Sequence, residues 1–303
     1  MHYIVLGGGI SPEKTVSLRS AAAVQTALEE LGHTVSSIDP DTISTDRLLE
    51  EALVSDGVFP ILHGIGGEDG ALQEHFEKHT IPYFGPSHQA CIASFDKAVF
   101  KKILEANALP TPRWNVISAE QLATEPLTDH PFVLKPITGG SSIDTFIIRT
   151  IPFDSAPLLD AFNRYGTMLI EELIEGHEIT VGVLEDEALP VVEIIPPQDK
   201  EFDYENKYNG ATQELCPPEN ISKELQEAAQ ELALKAHAVT NGRHLSRTDM
   251  LIDKNNALYI IDTNTIPGLT DQSLYPKAAA VAGYKWTALV QRFVELLEAR
   301  TTS

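Results

Sequence analysis

The chain has 303 residues, 43% of them apolar, which supports two or three units with their own cores and excludes a largely disordered protein. No stretch approaches the roughly 18 apolar residues of a membrane span, and a formal charge of −22 argues against surfaces for nucleic acid or anionic lipid. An acidic chain that handles an anionic substrate must gather its cations in one place or recruit a metal.

Taken in order, Tyr3–Leu6 reads as a buried strand entered at once, without the basic lead and cleavage site of a signal peptide. A protein that stays in the cytoplasm is therefore expected. Its two cysteines, Cys91 and Cys216, lie far apart and outside any CxxC spacing, the pattern of reduced thiols. The first strand runs into Gly7-Gly8-Gly9, then a helix pattern from about Pro12 to Leu31, strand Thr34–Ile38, a short helix and strand Gly57–Leu62. Repeated β-α-β implies a parallel sheet covered on both faces, with ligands beyond the strands' carboxyl ends, at Gly7–Glu13 and His63–Gly70. Residues 87–106 read as helical, and Pro110-Thr111-Pro112 as a stiff connection. Strand Phe132–Lys135 then leads into loop Pro136–Asp144, strand Thr145–Arg149, a helix from about Asp154 and strand Met168–Glu172. Strands Glu178–Leu184 and Leu189–Ile195 precede the polar segment Pro197–Thr212, which has the character of a lid. A helix over Ser222–Thr240, strands Thr248–Ile252 and Leu258–Asp262, and two further helices finish the chain.

The loops first exclude two nucleotide motifs. Pro12 occupies the third glycine position of GxGxxG, and Gly139-Gly140-Ser141-Ser142 lacks the Gly-Lys-Ser/Thr ending of a Walker A loop. That second loop suits either a backbone nest for phosphate or a plain hairpin turn. Asp249, Asp262 and Asn264 converge if their strands pair, and two carboxylates plus an amide oxygen suit magnesium. The same residues would also serve as a polar strand end. Lys135 closes an apolar strand, Lys97 follows Asp96 at a helix start, and Lys207 sits in the polar segment with Tyr204 and Tyr208. Leu169–Ile174 has a strand–linker pattern able to offer backbone groups to an adenine.

In this order the motifs resemble the D-alanine–D-alanine ligases of the ATP-grasp superfamily almost end to end. The residues that carry the likeness are Gly8–Glu13, His63-Gly64 with Gly67–Gly70 and Leu72-Gln73, Asp96-Lys97, Lys135-Pro136, Gly140–Ser142, Tyr204 with Lys207-Tyr208, Arg247 with Asp249, Asn264-Thr265 with Pro267-Gly268, and Ser273-Leu274 with Pro276–Ala279. The resemblance implies three α/β units: an N-terminal parallel substrate-side domain over 1–95, a central ATP-grasp subdomain over 96–175, and a C-terminal one over 176–303 with metal site and lid. It implies that Lys97, Lys135 and Lys207 hold the phosphates of ATP, that Glu171, Glu172 and Leu173 form an adenine hinge, and that Glu178 takes the ribose. Asp249, Asp262 and Asn264 would bind two Mg2+ ions, with Mn2+ a possible substitute. Glu13 would anchor the first D-amino acid and link to Ser141 and Tyr208, with His63 nearby. Arg247 and the Gly268 N–H would form an oxyanion hole, and Ser273 with the Leu274 N–H would bind the second carboxylate. A cytoplasmic homodimer making D-alanyl-D-alanine for peptidoglycan is the implied whole.

Departures from the family pattern are Asp262 for a usual glutamate, Asp144 for a glycine, Gln272 for a common histidine and Lys14-Thr15 for Arg-Glu. They leave room for a ligase of another D-amino or D-hydroxy acid, or for a catalytically weak ATP-binding relative. Lys207-Tyr208 favours an amino acid as the second substrate.

Overall fold

In the computed structural model, which describes residues 1–197 and 212–299, the chain opens with strand β1 (His2–Leu6), helix α1 (Lys14–Glu30), β2 (Thr34–Ile38), α2 (Thr45–Leu53), β3 (Gly57–Pro60) and α3 (Ala71–Lys78). The strands form a parallel sheet in the order β2-β1-β3. Alternation along β1 buries both its faces. Tyr3 and Val5 join Val24 and Leu28 of α1 on one side, while Ile4 and Leu6 meet Leu48 and Leu49 of α2 and Phe76 of α3 on the other. Each such side chain contributes about 1.5–3 kcal/mol when fully buried. The two glycine-rich loops follow β1 and β3, at the carboxyl edge of the sheet, as the sequence predicts.

The helical stretch expected over 87–106 is two helices, the second starting at the expected Asp96-Lys97 position. Helix α4 (His88–Phe95) stops at Asp96, whose backbone is extended (φ −84°, ψ 106°). The Asp96 carboxylate then accepts the N–H groups of Ala98 and Val99 and starts α5 (Lys97–Ala106). Apolar residues continue on both sides of the break, so periodicity alone does not reveal it.

A second sheet comprises β4 (Trp114–Ser118), β5 (Phe132–Pro136), β6 (Phe146–Ile148) and β7 (Thr167–Glu172), all antiparallel in the order β4-β7-β5-β6. Helix α6 (Ala156–Tyr165) lays Leu158, Ala161 and Phe162 on its core residues Phe132, Leu134, Met168 and Ile170. Strand β4 is an edge strand that the sequence does not announce. Of its five residues only Ile117 is buried, so the alternation that marks a strand is weak.

The third sheet takes in β8 (Gly176–Leu184), β9 (Glu187–Ala188), β10 (Val192–Ile195), β11 (Gln213–Leu215), β12 (Leu245–Asp253) and β13 (Leu258–Asn264). Its order is β11-β10-β8-β12-β13, with β9 pairing β8. Helix α7 (Lys223–Val239) approaches through Ala229, Ala233 and Ala236, packing on Ile179, Val181 and Met250. Phe100 and Leu104 of α5 complete that core. After helix α8 (Leu274–Val281), α9 (Trp286–Glu298) returns to the first sheet, where Phe293 and Leu297 pack with Tyr3 and Phe59. Among the described residues no helix is long and apolar enough to cross a membrane.

Candidate active site

The carboxyl edge of the first sheet and faces of the other two enclose one cleft of about 1520 Å³. That exceeds the roughly 300–1,000 Å³ of a single small-ligand pocket and leaves room for more than one substrate. Glu13, His63, Lys97, Lys135, Ser141, Glu171, Glu172, Leu173, Glu178, Arg247, Asp249, Asp262, Asn264, Gly268, Ser273 and Leu274 all line it. Sixteen of the eighteen residues singled out in the sequence thus border one space. Lys207 and Tyr208, the other two, lie outside the described residues.

One end of the cleft is built on buried cations. Lys135 pairs across the strands with Leu169, and Val133 with Glu171, which puts Lys135 and Glu171 diagonally on one sheet face. Lys97 and Lys101 stand four apart on α5 and share a helix face. Glu171 lies between two ammonium groups, with Lys135 at 2.6 Å and Lys101 in direct contact. Lys101 also donates to Thr111 Oγ at 2.5 Å, and that hydroxyl in turn donates to Ile260 O. Burial alone would raise the Glu171 carboxyl, but Lys101 and Lys135 outweigh it and hold the group at about 2. Burial likewise lowers Lys101, to about 8, against the opposing pull of Glu171. Sequence reasoning passed over Lys101, which holds Glu171 from behind and does not itself line the cleft.

Above this cluster runs the 136–144 loop. Lys97 donates through Nζ to Gly139 O at 2.5 Å, and its own N–H bonds Ile137 O at 2.9 Å, so the start of α5 is fastened to the loop. Gly139, Ser141, Ser142 and Asp144 have φ of 105°, 54°, 58° and 53°, and the Ile143 and Thr145 N–H groups bond back to Gly140 O and Ser142 O, so the loop is a series of tight turns. The charge that Asp144 adds to the loop is answered within the protein. Its carboxylate accepts from Arg164 at 2.7 Å and from the Tyr165 hydroxyl at 2.6 Å. In the hinge, the Leu173 N–H donates to Pro131 O and the Glu172 N–H to Arg113 O. Leu173 therefore offers a ligand its carbonyl only, and the adjacent Ile174 also faces the cleft.

At the other end carboxylates gather. Asp249 stands opposite Asp262, and Arg247 opposite Asn264, on antiparallel β12 and β13. Residues two apart share a sheet face, so all four project together. Asp249 accepts from Arg247 at 2.9 and 2.8 Å, from Thr180 at 2.5 Å and from Asn264 at 3.1 Å. Lys97 Nζ stands 3.9 Å from Asp262 Oδ2, joining the two ends. Two carboxylates and an amide beside a cation cluster fit magnesium, which keeps ligand positions for water and phosphate.

Between the ends, the Ser141 hydroxyl donates to the Glu13 carboxylate, closing the 136–144 loop onto the first domain. His63 bonds Ile266 O through Nδ1 at 3.0 Å. A carbonyl only accepts, so Nδ1 carries the proton and the buried, unpartnered Nε2 is left as an acceptor. Burial pushes the His63 pKa down and favours this neutral form. Glu68, for which the sequence suggested no role, accepts from Gly64 N–H at 2.8 Å and Ile266 N–H at 3.3 Å. Burial first and Glu13 second raise its carboxyl to about 8. At Gly268 a Cβ would fall 2.7 Å from Ser273 Oγ, so any larger residue there would have to displace that hydroxyl. The Ser273 hydroxyl is itself held by Thr270, through its N–H at 3.1 Å and its hydroxyl at 2.8 Å.

Comparison with known proteins agrees with this geometry. The family model for the D-ala D-ala ligase C-terminus matches residues 103–295. The D-alanine–D-alanine ligase of Nitratidesulfovibrio vulgaris is 39% identical over 98% of each chain, and that of Aquifex aeolicus 37% over 96% of this chain and 98% of its own. Among solved structures, the D-alanine–D-alanine ligase of Bacillus anthracis superposes with a TM-score of 0.83 at 29% identity, covering 99% of this chain and 98% of that one. The same enzyme complexed with ATP gives 0.82 at 27% identity with the same coverage. The three-sheet fold is accordingly the ATP-grasp fold. Likeness of this extent, from the first glycine loop to the last helix, makes the chain a member of the D-alanine–D-alanine ligase family.

Proposed function

We propose that the residues of the cleft divide the labour of an ATP-dependent ligation of two D-alanines, supplying D-alanyl-D-alanine for peptidoglycan. The observation that carries this reading is the joining of the two ends: Lys97 touches the 136–144 loop and stands 3.9 Å from Asp262. A triphosphate lying along that line has its charge matched by Lys97 and Lys135, with the adenine at Glu171, Glu172 and Leu173 and the ribose at Glu178. Asp249, Asp262 and Asn264 would hold two magnesium ions, or manganese in their place, which supply charge compensation at the transferring phosphoryl group.

The carboxylate of the first D-alanine attacks the γ-phosphorus, ADP leaves, and an acyl phosphate forms. The amine of the second D-alanine then attacks the acyl carbon, loses a proton, and expels inorganic phosphate. Glu13 orients the first ammonium with His63 close by, and Arg247 with the Gly268 N–H stabilises the oxyanion of the tetrahedral intermediate. Each such donor is worth about 3–4 kcal/mol. Ser273 and the Leu274 N–H receive the second carboxylate at the start of α8. For Lys207 and Tyr208, which lie outside the described residues, the family likeness alone implies roles, at the γ-phosphate and beside Glu13 and Ser141.

The reading extends to three units over 1–95, 96–175 and 176–303, supported by one sheet in each. It also extends to a cytoplasmic enzyme and, as in the family, a homodimer, which sedimentation would test. The deciding assay measures phosphate release with a panel of D-amino acids and D-lactate, with products identified by mass. Release with D-alanine alone or best supports the reading. Release only with D-lactate as second substrate, or nucleotide binding without release, overturns it.

A further inference from the structure

The loop that carries Gly268 is held from outside its own domain. Both backbone polar groups of Ile266 are taken by side chains of the first domain: its carbonyl by His63 Nδ1 at 3.0 Å and its N–H by Glu68 Oε1 at 3.3 Å. The other oxygen of Glu68 accepts the Gly64 N–H at 2.8 Å, so this carboxylate ties the His63–Gly64 turn and the Ile266 peptide together. Three residues on, the Leu269 N–H donates at 3.1 Å to Ser20 Oγ, on a fully buried serine of α1. The Pro267-Gly268 segment is thus suspended between three pins, at His63, Glu68 and Ser20, none of them on its own sheet.

We propose that Glu68, assisted by Ser20, is a positioning residue for ligation: it sets the direction of the Gly268 N–H by holding the backbone on either side of it. This rests on the oxyanion role given to Gly268 above. The physical ground is the steep geometric dependence of such a donor, for which a displacement of about 1 Å can cost 10²-fold in rate. Proline at 267 stiffens the segment, so a pin at 266 is transmitted to 268 rather than absorbed. It also gives the first domain a part in the second half-reaction, although its Glu13 side belongs to the first substrate.

Glu68→Gln tests the point. Glutamine has one acceptor oxygen where ionised glutamate has two, so at pH 9, above the Glu68 pKa of about 8, either the Gly64 or the Ile266 N–H loses its partner in the variant. The parent is first shown to release phosphate with D-alanine; failure there overturns the proposed function, not this inference. For Glu68→Gln we expect kcat for ligation to fall about 10- to 100-fold, with KM for ATP and for the first D-alanine within about twofold. Positional isotope exchange in ATP, which reads reversible acyl phosphate formation, should persist in the variant. Ser20→Ala, which removes a pin remote from the reactants, should lower kcat several-fold in the same step. A rise in the KM of the first D-alanine with kcat kept would make Glu68 a substrate ligand and overturn the proposal. So would loss of isotope exchange in proportion to ligation. Where Glu68→Gln fails to fold, Ser20→Ala decides alone, and a kcat within twofold of the parent overturns the proposal.

Discussion

The two ends of the cleft handle charge differently. Lys101, Glu171 and Lys135 expose 0%, 3% and 8% of their side chains, and each is paired with another of the three. Arg247, Asp249 and Asp262 expose 16%, 20% and 25%; Arg247 pairs with Asp249, and Asp262 faces Lys97 at 3.9 Å. Removing one partner from the first set leaves buried charge without compensation, so those residues belong to the fold as much as to the site. Among the described residues, the chain, with −22 net charge, buries Lys101 and Lys135 against Glu171 and leaves Asp249 and Asp262 more exposed.

The largest expected effect is at the open end. Asp262→Asn removes one anionic oxygen from a site proposed to balance two dications and a triphosphate, and turnover should be abolished. Stability should move less than at the sealed end, because the Asp262 carboxylate accepts from the neighbouring Thr263 N–H and faces Lys97 only at 3.9 Å. Asp262→Glu should retain or raise activity. Phosphate release at saturating ATP and magnesium, beside thermal unfolding, separates the two effects. Near-parent turnover of the Asn variant would erase the distinction between the ends.

The sealed end should break the other way. Glu171→Gln leaves Lys101 and Lys135 facing a neutral amide, and a loss of about 3–5 kcal/mol in stability is expected. The pH dependence has a definite sign. The folded pKa, about 2, lies below the ordinary 4.5, so the stabilisation is present above 4.5 and is lost as pH falls toward 2. Denaturant unfolding of the parent should show that acid slope between pH 5 and 3, and the Gln variant should lack Glu171's share of it. Equal stabilities at pH 7 would mean that the lysines do not depend on Glu171.

The open end was the more legible from sequence, for a physical reason. Asp262 and Asn264 are two apart on a strand, and pairing with the strand of Arg247 and Asp249 needs only a short connection, so period-2 geometry brings them together. Lys101 gave no such signal, because a lysine on an amphipathic helix reads as a solvated residue until the strand carrying Glu171 is placed against it. The helix start at Asp96-Lys97 was legible, but the end of the preceding helix was not, because apolar residues keep their spacing through it. The Glu68–Ile266 contact spans 198 positions and ends on a backbone group, which no pattern of side chains can announce. The family likeness led to Glu13 and Ser141, which the fold brings into contact across 128 positions.

The smallest effect is expected at the boundary between the ends, where Asp144 holds the 136–144 loop to α6. Read from sequence, a carboxylate in place of glycine adds repulsion beside the triphosphate and should weaken ATP binding. The geometry argues otherwise, since both carboxylate oxygens are occupied, by Arg164 and by the Tyr165 hydroxyl. With Arg164 47% exposed and Asp144 25%, solvent screens the pair, and contacts of this kind contribute about 0–1 kcal/mol. Asp144→Asn keeps an acceptor for Tyr165 and tolerates the left-handed φ of 53°, so it removes the charge with little else disturbed. The expected result is a stability change below about 1 kcal/mol and an ATP affinity within about threefold of the parent. Direct ATP titration at two ionic strengths is the measurement. A tenfold gain in affinity that shrinks with added salt would show that the Asp144 charge reaches the nucleotide, and the loop would then have to be regrouped with the open end of the cleft.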